Sequence, residues 1–381
     1  MTQKAKPMDP QKVFCPNETC LARGQIERGN IVIHSQKERR YKCKVCGKTF
    51  AETKGTPFYR LHKPEAWAVI VITLLAHGCP LQAIVAAFDW DERTVKRLES
   101  QAGAHCQTVH EHLVAQPRDL GHVQADEIWV KAQGVVFWLA MAIQVPTRLW
   151  LGATVSRHRD LKLLEALMQQ VRACALCRPL LFCVDGFRGY IKAIRRPFRE
   201  PLPTGKCGRP KLRPWDGIYI AQVVKRYTGR RVTSVVHRIV QGTPEIVQTL
   251  IDRTQGGKQI NTAYIERLNA TFRARLAPLV RRGRALVQQQ ATLQVGVYLV
   301  GTVYNFCTYH HSLRLALIVP GRGRRWLRRT PAIAAGITDH CWTVAELLWL
   351  KVPKPPRLPK RRGRPSKAWL ADLSYWGLVH G

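Results

Sequence analysis

Apolar positions change their period several times along this chain, and each change marks an element. From Glu65 to Ala76 an apolar stripe runs at helical spacing until His77-Gly78 stops it. Leu81–Phe88 repeats the pattern in a shorter helix, and Asp89-Trp90-Asp91 reads as a turn. Glu92–Gln101 opens a third helix, with Asp89 and Glu92 at capping-box spacing. At His122 the period shortens. His122–Lys131, Val135–Val145 and Arg148–Val155 read as three successive strands, with Gly134 near the first turn. Leu161–Val171 returns to helix, apolar at Leu161, Leu164, Leu167, Met168 and Val171. Pro179–Val184 is a continuous apolar run, a buried strand ending at Asp185-Gly186. Ahead of all this, Val13–Phe58 is loop-rich, with alternation around Gly29–Ile33 and Arg39–Lys42 that predicts a hairpin. No repeat of fixed period is present.

These patterns predict a multidomain α/β protein. The expected divisions are 13–58, 64–113, a mixed-sheet core over 120–315 interrupted by a basic insertion around 195–215, an extension over 316–350, and a basic tail over 351–381. At 381 residues the chain has room for two or three domains, and a hydrophobic fraction of 46% is enough to form packed cores.

Charge narrows the class. Sixty-one Lys and Arg against 25 Asp and Glu give a formal net charge of +36, a surface that attracts polyanions and points first to nucleic acid. Met1–Gln11 is polar with no apolar core, and the longest apolar run, Ala66–Ala76, is too short for a membrane span. The expectation is a cytoplasmic protein with no membrane partner, in which clustered cysteines are reduced and serve as metal ligands.

Of the 12 cysteines, four stand out. Cys15 and Cys20 form one close pair, Cys43 and Cys46 another, separated by a 22-residue arm. Two thiolate knuckles predict a tetrahedral structural zinc site, the metal replacing a core that so short a segment lacks. Gly47 follows the second knuckle, where a tight turn favours glycine. The surrounding Lys and Arg suit DNA contact, although a purely structural clip fits the same residues. Cys174, Cys177 and Cys183 fall on a helix end and an apolar strand and read as small buried hydrophobes. The short helix, turn and following helix with Arg93, Thr94, Lys96 and Arg97 at its start have the layout of a DNA-reading helix-turn-helix, with a packing module bearing a solvated basic face as the alternative.

Carboxylates are scarce here, so their positions matter. Asp126 lies mid-strand and Asp185 at a strand end. Three strands, a helix and a strand ending in Asp is the order of an RNase H-like core, which sets those two acids on neighbouring strands. Paired carboxylates repel unless a cation compensates, and magnesium, which takes oxygen ligands and keeps open positions, supplies one. A third acid is expected from a later helix. Glu266, within Asn261–Asn269, is the only acid between Arg253 and Thr338, and the three acids are spaced by 59 and 81 residues.

At these residues the chain resembles the DDE transposases of bacterial insertion sequences, and within them the group with an N-terminal zinc ribbon, a helix-turn-helix and a DDE domain, as in insertion-sequence-one-like elements. The matching pieces are Gln124-Ala125-Asp126-Glu127, Val184-Asp185-Gly186 and Asn261–Asn269. Tyr304–Cys307, His310–Arg314 and Arg329–Ile337 also match. The resemblance spans roughly residues 13–350. The long interval between Asp185 and Glu266 departs from the family's spacing and implies an insertion, with Asp216 and Glu245 as other candidates for the third acid. The resemblance implies metal ligation by Asp126, Asp185 and Glu266, two magnesium or manganese ions per active site, and phosphoryl transfer without a covalent protein–DNA intermediate. Glu127 is expected to point away from the site in a structural role, and Asn269 and Arg273 to reach a phosphate from the face of Glu266. Implied partners are transposon ends, target DNA and a second copy of the chain, with a dimer as the expected oligomer.

Two basic proline-rich stretches remain. Arg195–Pro214 contains Gly208-Arg209-Pro210. Lys351–Lys367 has eight Lys or Arg, no acid, and Arg362-Gly363-Arg364-Pro365. Arg209 and Arg364 sit in Gly-Arg-Pro settings that resemble an AT-hook, which slides Arg into a narrow minor groove; a polybasic segment gripping phosphates without preference fits equally. A DNA-binding regulator with an inactive core, a plain RNase H-like nuclease and a zinc-dependent RNA-binding protein are the competing functional readings.

Overall fold

The computed structural model describes residues 7–202, 210–229, 231–255, 259–280, 289–319 and 323–354. They fall into two compact units. The smaller holds the described residues up to His62 together with those from Trp349 onward, and the larger runs from Lys63 to Leu348.

The smaller unit is a three-stranded antiparallel sheet, β1 (Ile31–Ser35), β2 (Arg40–Cys43) and β3 (Thr49–Ala51). The alternation around Gly29–Ile33 and Arg39–Lys42 does form the expected hairpin, with Ile31 opposite Cys43 and Ile33 opposite Tyr41. Its core is small: Val13, Ala22, Ile31, Tyr41 and Phe50 close around the cysteines. Tyr41 stacks on Phe50 at 5.9 Å, and the Phe58 ring lies 5.2 Å from Trp349. So few apolar side chains do not hold a segment of this length without a further tie.

The larger unit opens with α1 (Glu65–Ala76), α2 (Leu81–Phe88) and α3 (Glu92–Leu113). The first two have the bounds their apolar periods predict, whereas α3 runs well past Gln101. The Asp89–Glu92 capping box does not form. Asp89 ends α2 in the left-handed region, φ 49°, so its side chain is not placed to cap, and Asp91 caps α3 instead by accepting from the Thr94 amide at 3.1 Å. The three helices fall in the same compact unit as the central, six-stranded sheet. α3 lies along α8 (Gln290–Cys307) in the same compact unit, and the approach is so close that a Cβ on Gly103 would sit 2.4 Å from the Val295 carbonyl oxygen.

A six-stranded mixed sheet forms the centre. β4 (His122–Lys131), β5 (Val136–Gln144) and β6 (Trp150–Ser156) make an antiparallel meander. α4 (Leu161–Cys174) then crosses one face and returns the chain as β7 (Leu180–Asp185), parallel to β4 on its other side. After α5 (Gly189–Arg195) comes a small hairpin, β8 (Arg199–Pro201) and β9 (Leu212–Pro214), which carries the basic insertion. β10 (Ile218–Thr228) joins parallel to β7, and β11 (Arg231–Gln241) returns antiparallel at the edge, giving the order β11-β10-β7-β4-β5-β6. α6 (Pro244–Gln255), α7 (Ala263–Arg275) and α8 cover the other face. A separate hairpin, β12 (Leu315–Val319) with β13 (Gly323–Leu327), precedes the short helices α9 (Pro331–Ala334) and α10 (Val344–Trp349). Strand alternation divides the core in two. Val123, Ala125 and Val184 pack with α4 and α5, while Ile128, Met141 and Trp150 pack with α7 and α8. Cys174 and Cys183 are fully buried in these layers, as the apolar context predicts, and Cys177 is exposed. Among the described residues no helix is long and apolar enough to cross a membrane.

Candidate metal centres

The two knuckles of the smaller unit bring Cys15, Cys20, Cys43 and Cys46 together, with all four sulfurs within 4.8 Å of one another. Cys15 Sγ lies 3.7 Å from Cys46 Sγ, and Cys20 Sγ 3.9 Å from Cys43 Sγ. A tetrahedron with zinc–sulfur bonds of about 2.3 Å has edges of about 3.8 Å, so the four thiols fit that ion. Asn30 Nδ2 donates to Cys43 Sγ at 3.3 Å, the kind of outer contact that orients a thiolate ligand. Burial pushes the Cys15 thiol up. At Cys46 burial also raises the thiol, but the Lys48 amide, Asn17 and the neighbouring thiols outweigh it and hold it at about 7.

The second centre lies in the larger unit where β4 and β7 run side by side. Their ladder pairs Ala125 with Val184, so Asp126 and Asp185 follow at the same level on adjacent strands. The pleat turns both toward the α6–α7 face and sends Glu127 to the α4–α5 face, as its neighbours Ala125 and Val184 lie on the latter. The Glu127 carboxylate nevertheless reaches the strand-end cluster. Asp126, Glu127 and Asp185 each offer an oxygen within 4.8 Å of the others. Glu266, on the first turn of α7, does not join that group: it accepts from Lys225 Nζ at 2.9 Å and Thr262 Oγ1 at 2.9 Å.

Two buried glutamines set this geometry. Gln124, two residues before Asp126 on the same face, accepts at Oε1 from the amides of Tyr264 and Ile265 at 3.0 and 3.1 Å, and donates through Nε2 to the Asn261 carbonyl at 2.8 Å. Those amides are unsatisfied donors of the α7 N-terminus, so a strand side chain caps the helix that carries Glu266. Gln222 on β10 donates to the Asp185 carbonyl at 2.9 Å and fixes the end of β7. Asp185 Oδ1 accepts from the Phe187 amide at 2.9 Å, closing a turn around Gly186. Asn269, expected to reach a phosphate, is buried and donates instead to Asp126 Oδ2 at 2.8 Å. One turn beyond Glu266 on an amphipathic helix is a core-facing position here, which is why the amide meets the strand rather than solvent.

Burial dominates the electrostatics. It raises the Asp126 carboxyl to about 6, with the charges of Asp185 and Glu266 adding to it, and raises Glu127 to about 7, with Asp185 adding. Arg159, at the exit of β6, bridges Glu127 Oε2 at 3.2 Å and Asp185 Oδ2 at 3.1 Å, and its guanidinium stacks 4.5 Å from the Phe187 ring centre. The buried Tyr190 hydroxyl lies beside the buried Glu127 carboxylate; burial first, and then that charge, push the phenol well above its usual range. A trio of convergent, partly buried carboxylates is a donor set suited to a hard divalent cation.

Compared with protein-family models and with curated proteins, the chain matches none.

The other predicted positions are spread out. Arg93, Lys96 and Arg97 are exposed on α3, Lys96 pairing with Glu92, and Thr94 is half-buried behind its capping bond. Arg273 is half-buried on α7. Asp216 lies in the turn before β10, at the opposite end of β7 from Asp185, and Glu245 is exposed at the start of α6; neither joins the acids. Arg209, Arg364 and the tail beyond Lys354 lie outside the described residues. Sequence reasoning missed Arg159, Lys225 and Gln222, and gave Gln124 no role of its own. Two of them are cations among 61, with nothing in their spacing to mark them; Gln124 and Gln222 stand out only once their complete burial is seen.

Proposed function

We propose that the chain is a DDE-type DNA transposase whose larger unit is an RNase H-like catalytic domain. The observation that carries this is the level pairing of Asp126 on β4 with Asp185 at the end of β7, with the Glu127 carboxylate within 4.8 Å of both. The meander, crossover helix and parallel return strands support the RNase H-like reading, and the charge of +36 supports DNA as substrate. Asp126 and Asp185 would hold divalent magnesium or manganese, with Glu266 or Glu127 as third ligand. Bound there, two such ions supply activation of water or a DNA 3′-hydroxyl and stabilisation of the leaving oxygen. Asn269 holds the Asp126 carboxylate in place, and Gln124 holds the helix that presents Glu266. In this reading the four-cysteine unit is a structural zinc ribbon, α2 and α3 form a DNA-reading helix-turn-helix presenting Arg93 and Arg97, and two copies of the chain act together on inverted terminal repeats.

A second reading, a DNA-binding regulator without activity, draws on the cations already in place: Arg159 bridges two of the acids and Lys225 holds Glu266. The two separate in an assay of cleavage and joining on labelled DNA carrying the element's own ends, with magnesium or manganese, for the wild type and Asp185→Asn. Nicked and joined products that vanish in the variant, while DNA binding persists, support the transposase. Binding without cleavage by either protein in both metals supports the regulator.

A further inference from the structure

The sheet's last two strands outgrow it. β10 is buried from Ile220 to Val223, and β7 accompanies it only as far as the pairing of Asp185 with Val223. From there β10 and β11 continue with each other alone. The side chains of Lys225–Thr228 and Arg231–Arg238 are all exposed, on both faces of the ribbon. From the rung joining Val224 to Val236 out to that joining Thr228 to Arg231, the ribbon projects about 14 Å, at about 3.4 Å per rung. Tyr227 is 60% exposed and Val235 51%.

An open ribbon with exposed aromatic and branched residues is an unsatisfied surface. Its charge indicates what covers it. Residues 224–241 contain five Lys or Arg and no acid. A second copy pairing here would set the same acid-free, cationic strand against this one, and the like charges repel. Duplex DNA is complementary on both counts. Its phosphates take Arg226 and Arg231, and its major groove, about 12 Å wide, admits a two-stranded ribbon. The root of the ribbon also adjoins the carboxylate cluster, since Val223, the last β10 residue paired with β7, lies opposite Asp185.

We propose that the β10–β11 ribbon is a DNA-gripping arm that lies along a duplex and leads it to the carboxylate cluster. The inference rests on the transposase reading for what happens to the duplex at its root, but gripping needs no cleavage. The test uses the full-length, zinc-loaded chain and a fluorescein-labelled duplex of arbitrary sequence, with binding measured across a salt series. Arg226→Gln/Arg231→Gln, two exposed positions that leave Lys225 intact, lowers the slope of log affinity against log salt by about 2 if each arginine neutralises one phosphate. In parallel, p-benzoylphenylalanine replacing Val235 is photo-crosslinked, with a DNA adduct expected. An unchanged slope with no DNA adduct overturns the proposal, and a protein–protein adduct overturns it in favour of a dimer contact. Loss of the slope in a protein that never cleaves its own ends leaves the arm standing and removes the transposase reading alone; normal cleavage with an unchanged slope does the reverse.

Discussion

At the residue scale, the candidate site depends on side chains that do no chemistry. Gln124 satisfies two amides of α7 from a neighbouring strand. Gln124→Ala leaves them buried and unpaired, which costs about 2–4 kcal/mol; a denaturant midpoint indistinguishable from wild type would sink this account of how α7 is held. His110 offers a second test. Its Nε2 donates to the Leu151 carbonyl at 3.0 Å, and Nδ1 is buried without a partner. Burial holds the imidazole down to about 4, so it is neutral in the folded protein. The unfolded chain protonates first as pH falls through about 6.5, so this residue withdraws stability from there down to about pH 4, by about 2 kcal/mol between pH 6.5 and 5. Asp126 and Glu127, raised by burial, act with opposite sign, so the effect is read as a difference. The stability gap between wild type and His110→Gln should be smaller at pH 5 than at pH 7. A gap that widens on acidification means that His110 is charged in the fold.

At the scale of elements, the legibility of the sequence followed how one-sided each element's burial is. α1 and α2 have the bounds their apolar periods indicate, β4 is recognisable from its shortened period and β7 from its continuous apolar run. α3 was cut short because the stripe it buries beyond Gln101 consists of Ala102, Gly103, Cys106, Val109 and His110, too small and too polar to register as an apolar period. The outer halves of β10 and β11 left no signal, since a strand exposed on both faces has no alternation to detect. The pairing of Asp126 with Asp185 was legible from strand order alone, whereas the reach of Glu127 around the strand end was not, because alternation fixes the direction of Cβ and not the position of a carboxylate two bonds further out. Gly103 makes the packing of α3 testable. In an isolated helix Gly→Ala stabilises by about 1 kcal/mol. Here a Cβ would meet Val295 Cγ1 at 2.3 Å and its carbonyl oxygen at 2.4 Å, so Gly103→Ala should instead lower the melting temperature, by an equivalent of about 1–3 kcal/mol. A rise would mean that α3 and α8 are not in such contact.

For the molecule as a whole, the two units rest on different kinds of stability. The larger has an extended apolar core on both faces of its sheet. The smaller has a handful of apolar side chains around four thiols. On the zinc-ribbon proposal, removing the metal with a chelator, or Cys43→Ser, should therefore abolish the transition of the smaller unit in calorimetry and leave the cooperative unfolding of the larger one in place. A single transition that shifts as a whole would show the two to be energetically one.

The capping of α7 by Gln124 also bears on how the protein is made. A ribosome delivers β4 early, with Gln124 and Asp126 already on it, but their hydrogen-bond partners at Tyr264, Ile265 and Asn269 emerge only some 140 residues later. Until then Gln124 Oε1 and the Asp126 carboxylate lack the groups that orient them. A nascent or prematurely terminated chain consequently lacks the contacts that orient the Asp126 carboxylate, and on the transposase proposal the cutting of DNA is withheld until translation is well past the two aspartates.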